Sequence, residues 1–261
     1  MLKPAFLTRL ACLLVSCVLG SAPAQAQPAT IAAASDLQFA LEAVREQYRL
    51  DTGRQVQVVY GSSGNFYRQI REGAPFQMFM SADESYVQQL ADAGLTEDAG
   101  TLYAEGRIVL ITPHGSVLKA DTGLQGLGEA LDSHQIQRFA IANPEHAPYG
   151  RRAEEALRHA GLWEALQGHL VLGENVSQAA QFATSGSTQG GIIAYSLALS
   201  PNVSRLGDYA LIPQDWHEPL HQRMVLLRTA PPALHEFYAY LQGPRAREIM
   251  RDFGFELPEA R

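Results

Sequence analysis

Short apolar runs alternate with stretches of helical periodicity along this chain, and the joints between them are rich in glycine, serine and other small residues. The pattern predicts strands over 30–34, 56–60, 78–80, 108–112, 139–142, 170–172, 191–193 and 224–227. Between them, Leu37, Ala40, Leu41, Val44 and Tyr48 recur at 3.6-residue spacing and predict a helix stopped by Gly53. Val176, Ala179, Ala180 and Ala183 predict another, with Gly186 beyond its end. Strands alternating with helices restrict the chain to an α/β fold, with parallel sheets covered on both faces.

Four joints carry the candidate chemistry: Ala34-Ser35-Asp36, Gly61-Ser62-Ser63-Gly64, Ala147-Pro148-Tyr149-Gly150 and Glu174-Asn175-Val176-Ser177. In α/β sheets such joints lie at the carboxyl ends of strands, where ligands bind. Each also opens a helix, whose first N–H groups are unpaired and whose dipole is positive at that end. Any one of them is explained by ordinary N-capping. Four converging on one cleft form an anion site without lysine or arginine. On the residues alone, the reading stops at a cleft for an anion or a small polar ligand.

The N-terminus speaks to compartment. Lys3 and Arg9 precede an apolar run over 10–19, and Ala24-Gln25-Ala26 follows it. This is the pattern of a secretory signal peptide over residues 1–26, which places the mature chain in the periplasm. The run is shorter than the roughly 20 apolar residues that span a bilayer. Leu14-Val15-Ser16-Cys17 also resembles a lipobox, which would instead leave a lipidated Cys17. Cys12 and Cys17 are the only cysteines. A chain cleaved after Ala26 therefore has no disulfide, thiolate metal site or cysteine nucleophile. Cleavage removes Lys3 and Arg9 and no acid, so the net charge of −7 becomes −9. That balance argues against nucleic acid or an anionic membrane surface as partner.

Several motifs occur in one order along nearly the whole mature chain. They are 32–36, Gly61-Ser62-Ser63-Gly64, 70–75, Ser81-Ala82-Asp83, 142–150, 173–178, Leu241-Gln242-Gly243-Pro244 and Phe253-Gly254-Phe255. Together they resemble the periplasmic molybdate-binding proteins that serve ABC importers. The resemblance implies an α/β, two-lobed periplasmic binding protein fold of type II with the ligand cleft between the lobes. It divides the chain into lobe I, over 27–108 plus 224–261, and lobe II, over 109–223. It also implies a site in which the Ser35 and Ser63 hydroxyls, with the backbone N–H groups of Tyr149 and Val176, surround molybdate or tungstate. Asp36 stands beside the first hydroxyl, where some members contribute another contact. The molybdenum would be present only as this oxyanion. The implied partners are the ligand and a membrane permease, with no cofactor, no catalysis and a monomeric chain.

Two residues depart from the family pattern. Some members supply a tyrosine hydroxyl from the strand around 191–194; here Ala194 takes that place and Tyr195 falls one position later, on the opposite side of a strand. Asp36 replaces the Asn of some relatives. A carboxylate facing a dianion would repel it, so Asp36 is expected to turn away or the ligand to carry a proton. Donors without acceptors favour an unprotonated anion over hydrogen phosphate. The alternatives are another oxyanion such as sulfate, selected by cavity size, and a secreted hydrolase.

Other motifs compete weakly. His217-Glu218-Pro219-Leu220-His221 matches the zinc-protease string H-E-x-x-H, but Pro219 disrupts the helix that chemistry requires. No G-x-S-x-G elbow accompanies the Ser62-Ser63 pair. Arg68, Arg151 and Arg152 read as solvated helix faces one turn inside the pocket helices, and His146 reads as structural.

Overall fold

The structure, a computed structural model, describes residues 29–258. The expected signal peptide over 1–26 and the lipidation alternative at Cys17 lie outside the described residues. The first half alternates β1 (Thr30–Ala34), α1 (Gln38–Thr52), β2 (Gln57–Gly61), α2 (Ser63–Arg71), β3 (Met78–Ser81), α3 (Glu84–Asp92) and β4 (Thr101–Gly106). There follow β5 (Ile108–Pro113), α4 (Gln125–Asp132), β6 (Phe139–Ala142), α5 (Pro148–His159), α6 (Trp163–Leu166) and β7 (Leu170–Gly173). Next come α7 (Val176–Thr184), β8 (Gly190–Ala194), α8 (Tyr195–Ala198), α9 (Pro201–Ser204) and β9 (Gly207–Leu211). β10 (Leu220–Leu226), α10 (Pro232–Gln242) and α11 (Pro244–Asp252) complete it.

These elements form two five-stranded sheets of one plan, ordered β2-β1-β3-β10-β4 and β7-β6-β8-β5-β9. In each, four strands run one way and one runs against them: β10 is antiparallel to both β3 and β4, as β5 is to β8 and β9. The sheets are therefore mixed, not parallel throughout as the alternation suggested. The reason is connectivity. β5 and β10 arrive from the other sheet, whereas a helical crossover within one sheet would have returned them parallel. The chain passes between the sheets at Arg107, and returns between Leu211 and Leu220.

The central strands β1, β3, β6 and β8 are almost wholly buried, which accounts for their continuous apolar sequences. Around the first sheet, α1 sets Tyr48 edge-on against Phe237 of α10, ring centroids 5.0 Å apart. Around the second, Ala179 and Ala183 of α7 let that helix lie close to the sheet. A Cβ on Gly191 would stand only 2.9 Å from the Ala183 Cβ. Gly53, at φ 72°, closes α1 in the left-handed conformation.

The plan fixes where a ligand can sit. In each sheet the chain turns to opposite sides of one strand, β1 in the first and β6 in the second. Ligands bind at the carboxyl ends of strands beside such a reversal. The joints after β1, β2, β6 and β7 meet there, between the lobes.

Candidate functional site

A small cavity of about 10 Å³ lies between these four joints. Measured as the space open to the centre of a water-sized sphere, it has room for a single small ion or molecule only. Ser35, Asp36, Ser63, Tyr149 and Val176, the five residues singled out from the sequence, all line it. Asp36 is the only charged residue among the lining.

The walls present donors. Ser63 Oγ accepts the Ala82 N–H at 3.0 Å, and Ser35 Oγ accepts the Ser177 N–H at 3.3 Å. A hydroxyl that accepts from a backbone N–H keeps its own proton to give. The helix starts behave alike. In α7, Asn175 Oδ1 caps the Gln178 N–H at 3.1 Å, and the Ser177 N–H is taken by Ser35, which leaves the Val176 N–H. In α5, Pro148 has no N–H to offer, and those of Gly150 and Arg151 reach the Ala147 carbonyl, which leaves Tyr149. In α2, the Gly64 N–H goes to the His146 carbonyl, which leaves Ser63. The N–H groups of Ser63, Tyr149 and Val176 have no acceptor among the described residues.

Ser62 has a different task. Its hydroxyl donates to the His146 carbonyl at 2.5 Å, so the His146 ring must donate back from Nδ1, 2.9 Å from Ser62 Oγ. His146 is buried, and with Gly64 this pair ties α2 to the loop before α5 across the cleft. Ser177 repeats the device on the other side, donating to the Ser35 carbonyl at 2.8 Å. Ser196, at the start of α8, donates to the Asp36 carbonyl at 2.8 Å. Arg151, expected on a solvated face, instead crosses the cleft to Asp83 at 2.5 Å and to the Tyr86 hydroxyl at 3.1 Å. The lobes are thus held closed by bonds that ring the cavity without entering it.

Asp36 is 1% exposed. Its Oδ2 accepts from Gln222 Nε2 at 2.7 Å and from the Tyr149 hydroxyl at 3.0 Å. Gln222 in turn accepts from Tyr103 at 2.7 Å. Oδ1 has no hydrogen-bond partner among the described residues. Burial raises the Asp36 carboxyl to about 6; the bonds from Gln222 and Tyr149, and the nearby N–H groups of Asp36 and Leu37, oppose that more weakly. The Tyr149 and Tyr103 hydroxyls are pushed well above their usual range, by burial first and by the Asp36 charge second. Asp36 thus commits one oxygen to Gln222 and Tyr149 and keeps the other as an unpartnered acceptor, which the donor-only expectation lacked.

The second departure also takes a new form. β8 ends at Ala194, and Tyr195 opens α8, where its ring lies 5.8 Å from that of Tyr209. Tyr195 is therefore not on the reverse of a strand, and neither Ala194 nor Tyr195 lines the cavity. His217 and His221 do not share a helix, since the chain leaves a short turn at Trp216 and enters β10 at Leu220. Among the described residues, no group of three or more His, Asp or Glu is placed to hold a metal ion.

Residues 29–256 match the family described as bacterial extracellular solute-binding proteins. The chain is also 32% identical to the molybdate-binding protein ModA of Azotobacter vinelandii over 237 residues, covering 90% of this chain and 92% of that one. The chain belongs to the ModA family of solute-binding proteins. The ModA protein of Rhodobacter capsulatus is likewise 32% identical, over 89% of this chain and 90% of its own. The solved periplasmic molybdate-binding protein of Azotobacter vinelandii superimposes with a TM-score of 0.80 at 28% identity, over 88% of this chain and all of that one. This ModA-family chain thus shares with it the two-lobed α/β architecture.

Proposed function

We propose that the protein captures molybdate, and with it tungstate, between its lobes and presents the closed complex to the permease of an ABC importer in the periplasm. The observation that carries this reading is a small cavity walled by uncommitted donors, with no basic side chain among the described residues that line it. Two serine hydroxyls and three helix-start N–H groups surround a space sized for one ion. A dianion loses its water on entering, and charge-assisted bonds from these groups offset that cost. Donors from both lobes meet on one ligand, so binding stabilises the closed form that a permease can recognise. The donors reach the anion's oxygens, and no side chain bonds the metal atom. The curated relatives, binding proteins by name, support a non-catalytic role. Export by the N-terminal signal and a monomeric chain without a cofactor belong to the same proposal.

Isothermal titration of the dialysed mature protein with molybdate, tungstate, sulfate and phosphate tests it. Tight one-to-one binding of molybdate and tungstate, with the other two much weaker, is the expected result. Preference for sulfate or phosphate, or no heat with any of the four, overturns the ligand assignment. Ser63→Ala and Ser35→Ala should each weaken molybdate about tenfold, the roughly 1.5 kcal/mol of one hydrogen bond to a charged acceptor. The same titration reads that loss; unchanged affinity in both variants removes the hydroxyls from the site.

A further inference from the structure

Asp36 is a negative group in the wall of a cavity whose other features suit a negative ligand. No neighbour neutralises it. The titratable groups facing it are two phenols, Tyr149 from α5 and Tyr103 from β4, both held neutral by burial. β10 contributes the uncharged Gln222, α7 the hydroxyl of Ser177 at Ser35, and α8 that of Ser196. Basic side chains around the junction of the lobes are engaged elsewhere: Arg107 with Glu256 at 2.9 Å and Arg151 with Asp83, while the His146 ring turns to Ser62. A carboxylate and a dianion buried side by side without a cation cannot both keep their full charge.

We propose that the pocket closes on its oxyanion together with one proton, held between Asp36 Oδ1 and the facing ligand oxygen. The inference rests on the oxyanion reading above. The two carboxyl oxygens are already divided for this. Oδ2 remains an acceptor for Gln222 and Tyr149, whereas Oδ1 lacks a partner and gains one when a proton joins it to the ligand. The proton comes from solvent, the pair passes from three negative charges to two, and no bond to the ligand's central atom changes. In the closed cleft without ligand, burial has lifted this carboxyl to about 6, and a dianion beside it raises it further.

The sign follows from linkage. The complex binds one proton more than the ligand-free protein at pH values between the ligand-free pKa and the higher pKa of the complex. Affinity is therefore highest in acid and falls about tenfold per pH unit as the pH rises above about 6. In this range the free oxyanion is fully deprotonated and contributes no proton.

Molybdate titrations at pH 7.5 in two buffers of different ionisation enthalpy count the protons directly. Uptake close to one per ligand is expected, with roughly hundredfold weaker binding at pH 8.5 than at pH 6.5. Asp36→Asn replaces the proton with a permanent amide donor. It should show no uptake, a flat pH profile, and at least tenfold tighter binding than wild type at pH 8.5. Heats that agree between buffers in the wild-type protein overturn the inference while leaving the oxyanion reading intact, as does an Asp36→Asn variant that still takes up a proton. Absence of binding in either buffer fells both. If the variant does not fold, the wild-type proton count alone decides.

Discussion

Gly64→Ala lowers oxyanion affinity about hundredfold and leaves the thermal unfolding of the ligand-free protein unchanged or slightly raised. A Cβ at this position would stand 2.5 Å from the His146 carbonyl oxygen and 3.1 Å from its Cα, both main-chain atoms of the opposite lobe. The Tyr86 hydroxyl, at 2.8 Å, is the end of a side chain and can move aside. The His146 backbone cannot, except by parting the lobes. Parting them breaks the bonds from the Gly64 N–H and the Ser62 hydroxyl to that carbonyl. Overpacking of this kind costs about 1–3 kcal/mol, and each lost bond adds to it. The ligand-free chain escapes the clash by opening, and its α2 gains up to about 1 kcal/mol from alanine in place of glycine. Titration beside differential scanning calorimetry separates the two effects. A variant that binds like wild type shows that this contact does not govern closure.

Gly150→Ala should do the opposite, unfolding the protein some 6–12 °C lower whether or not ligand is present, for a cost of about 3 kcal/mol. Here the added Cβ meets the Ala142 carbonyl oxygen at 2.2 Å, with the Ala142 and Asn143 carbonyl carbons at 2.8 and 2.9 Å. All three lie at the end of β6 or in the residue after it, in the same lobe as α5. No opening motion relieves them, so α5 must shift off its sheet and carry the Tyr149 N–H out of the cavity. Affinity falls along with stability. Calorimetry of the ligand-free variant is the check, and a midpoint within 2 °C of wild type contradicts the argument. Two glycines of neighbouring joints thus report on different things, one on closure and the other on the fold beneath it.

The joints were legible because their chemistry is local. A helix start rich in small residues must present N–H groups wherever it lies, so the four joints could be named before their convergence was visible, whereas Ser35, Ser63, Tyr149 and Val176 within them came from the family resemblance. The strands β1, β3, β6 and β8 were legible for a related reason, since burial on both faces leaves a continuous apolar run. Of the edge strands, β2 and β7 were read, but β4 and β9 were not. β4, with Tyr103, alternates small, acidic and apolar residues, and β9 exposes Asp208 and Tyr209. Half-solvated edges carry little periodic signal. α4 hid behind Gly126 and Gly128. The partners of Asp36 were missed because they join through space. Gln222 is fully buried, but it stands between His221 and Arg223, and the strand was expected to begin at Met224. Nor does any local pattern say that Arg151 will reach across a cleft to Asp83.

The placement of β10 has a consequence for how the chain comes together. This strand lies between β3 and β4 in the first sheet, yet it is made after every strand of the second. As the polypeptide emerges from its N-terminus, β5 to β9 form an unbroken stretch that can pair at once. The earlier strands wait, β3 and β4 each with a ladder edge open until residues 220–226 arrive. Domains usually mature in the order they are synthesised. In this protein the half made first is the half finished last, and its unpaired edges need shelter for most of the time the chain takes to appear.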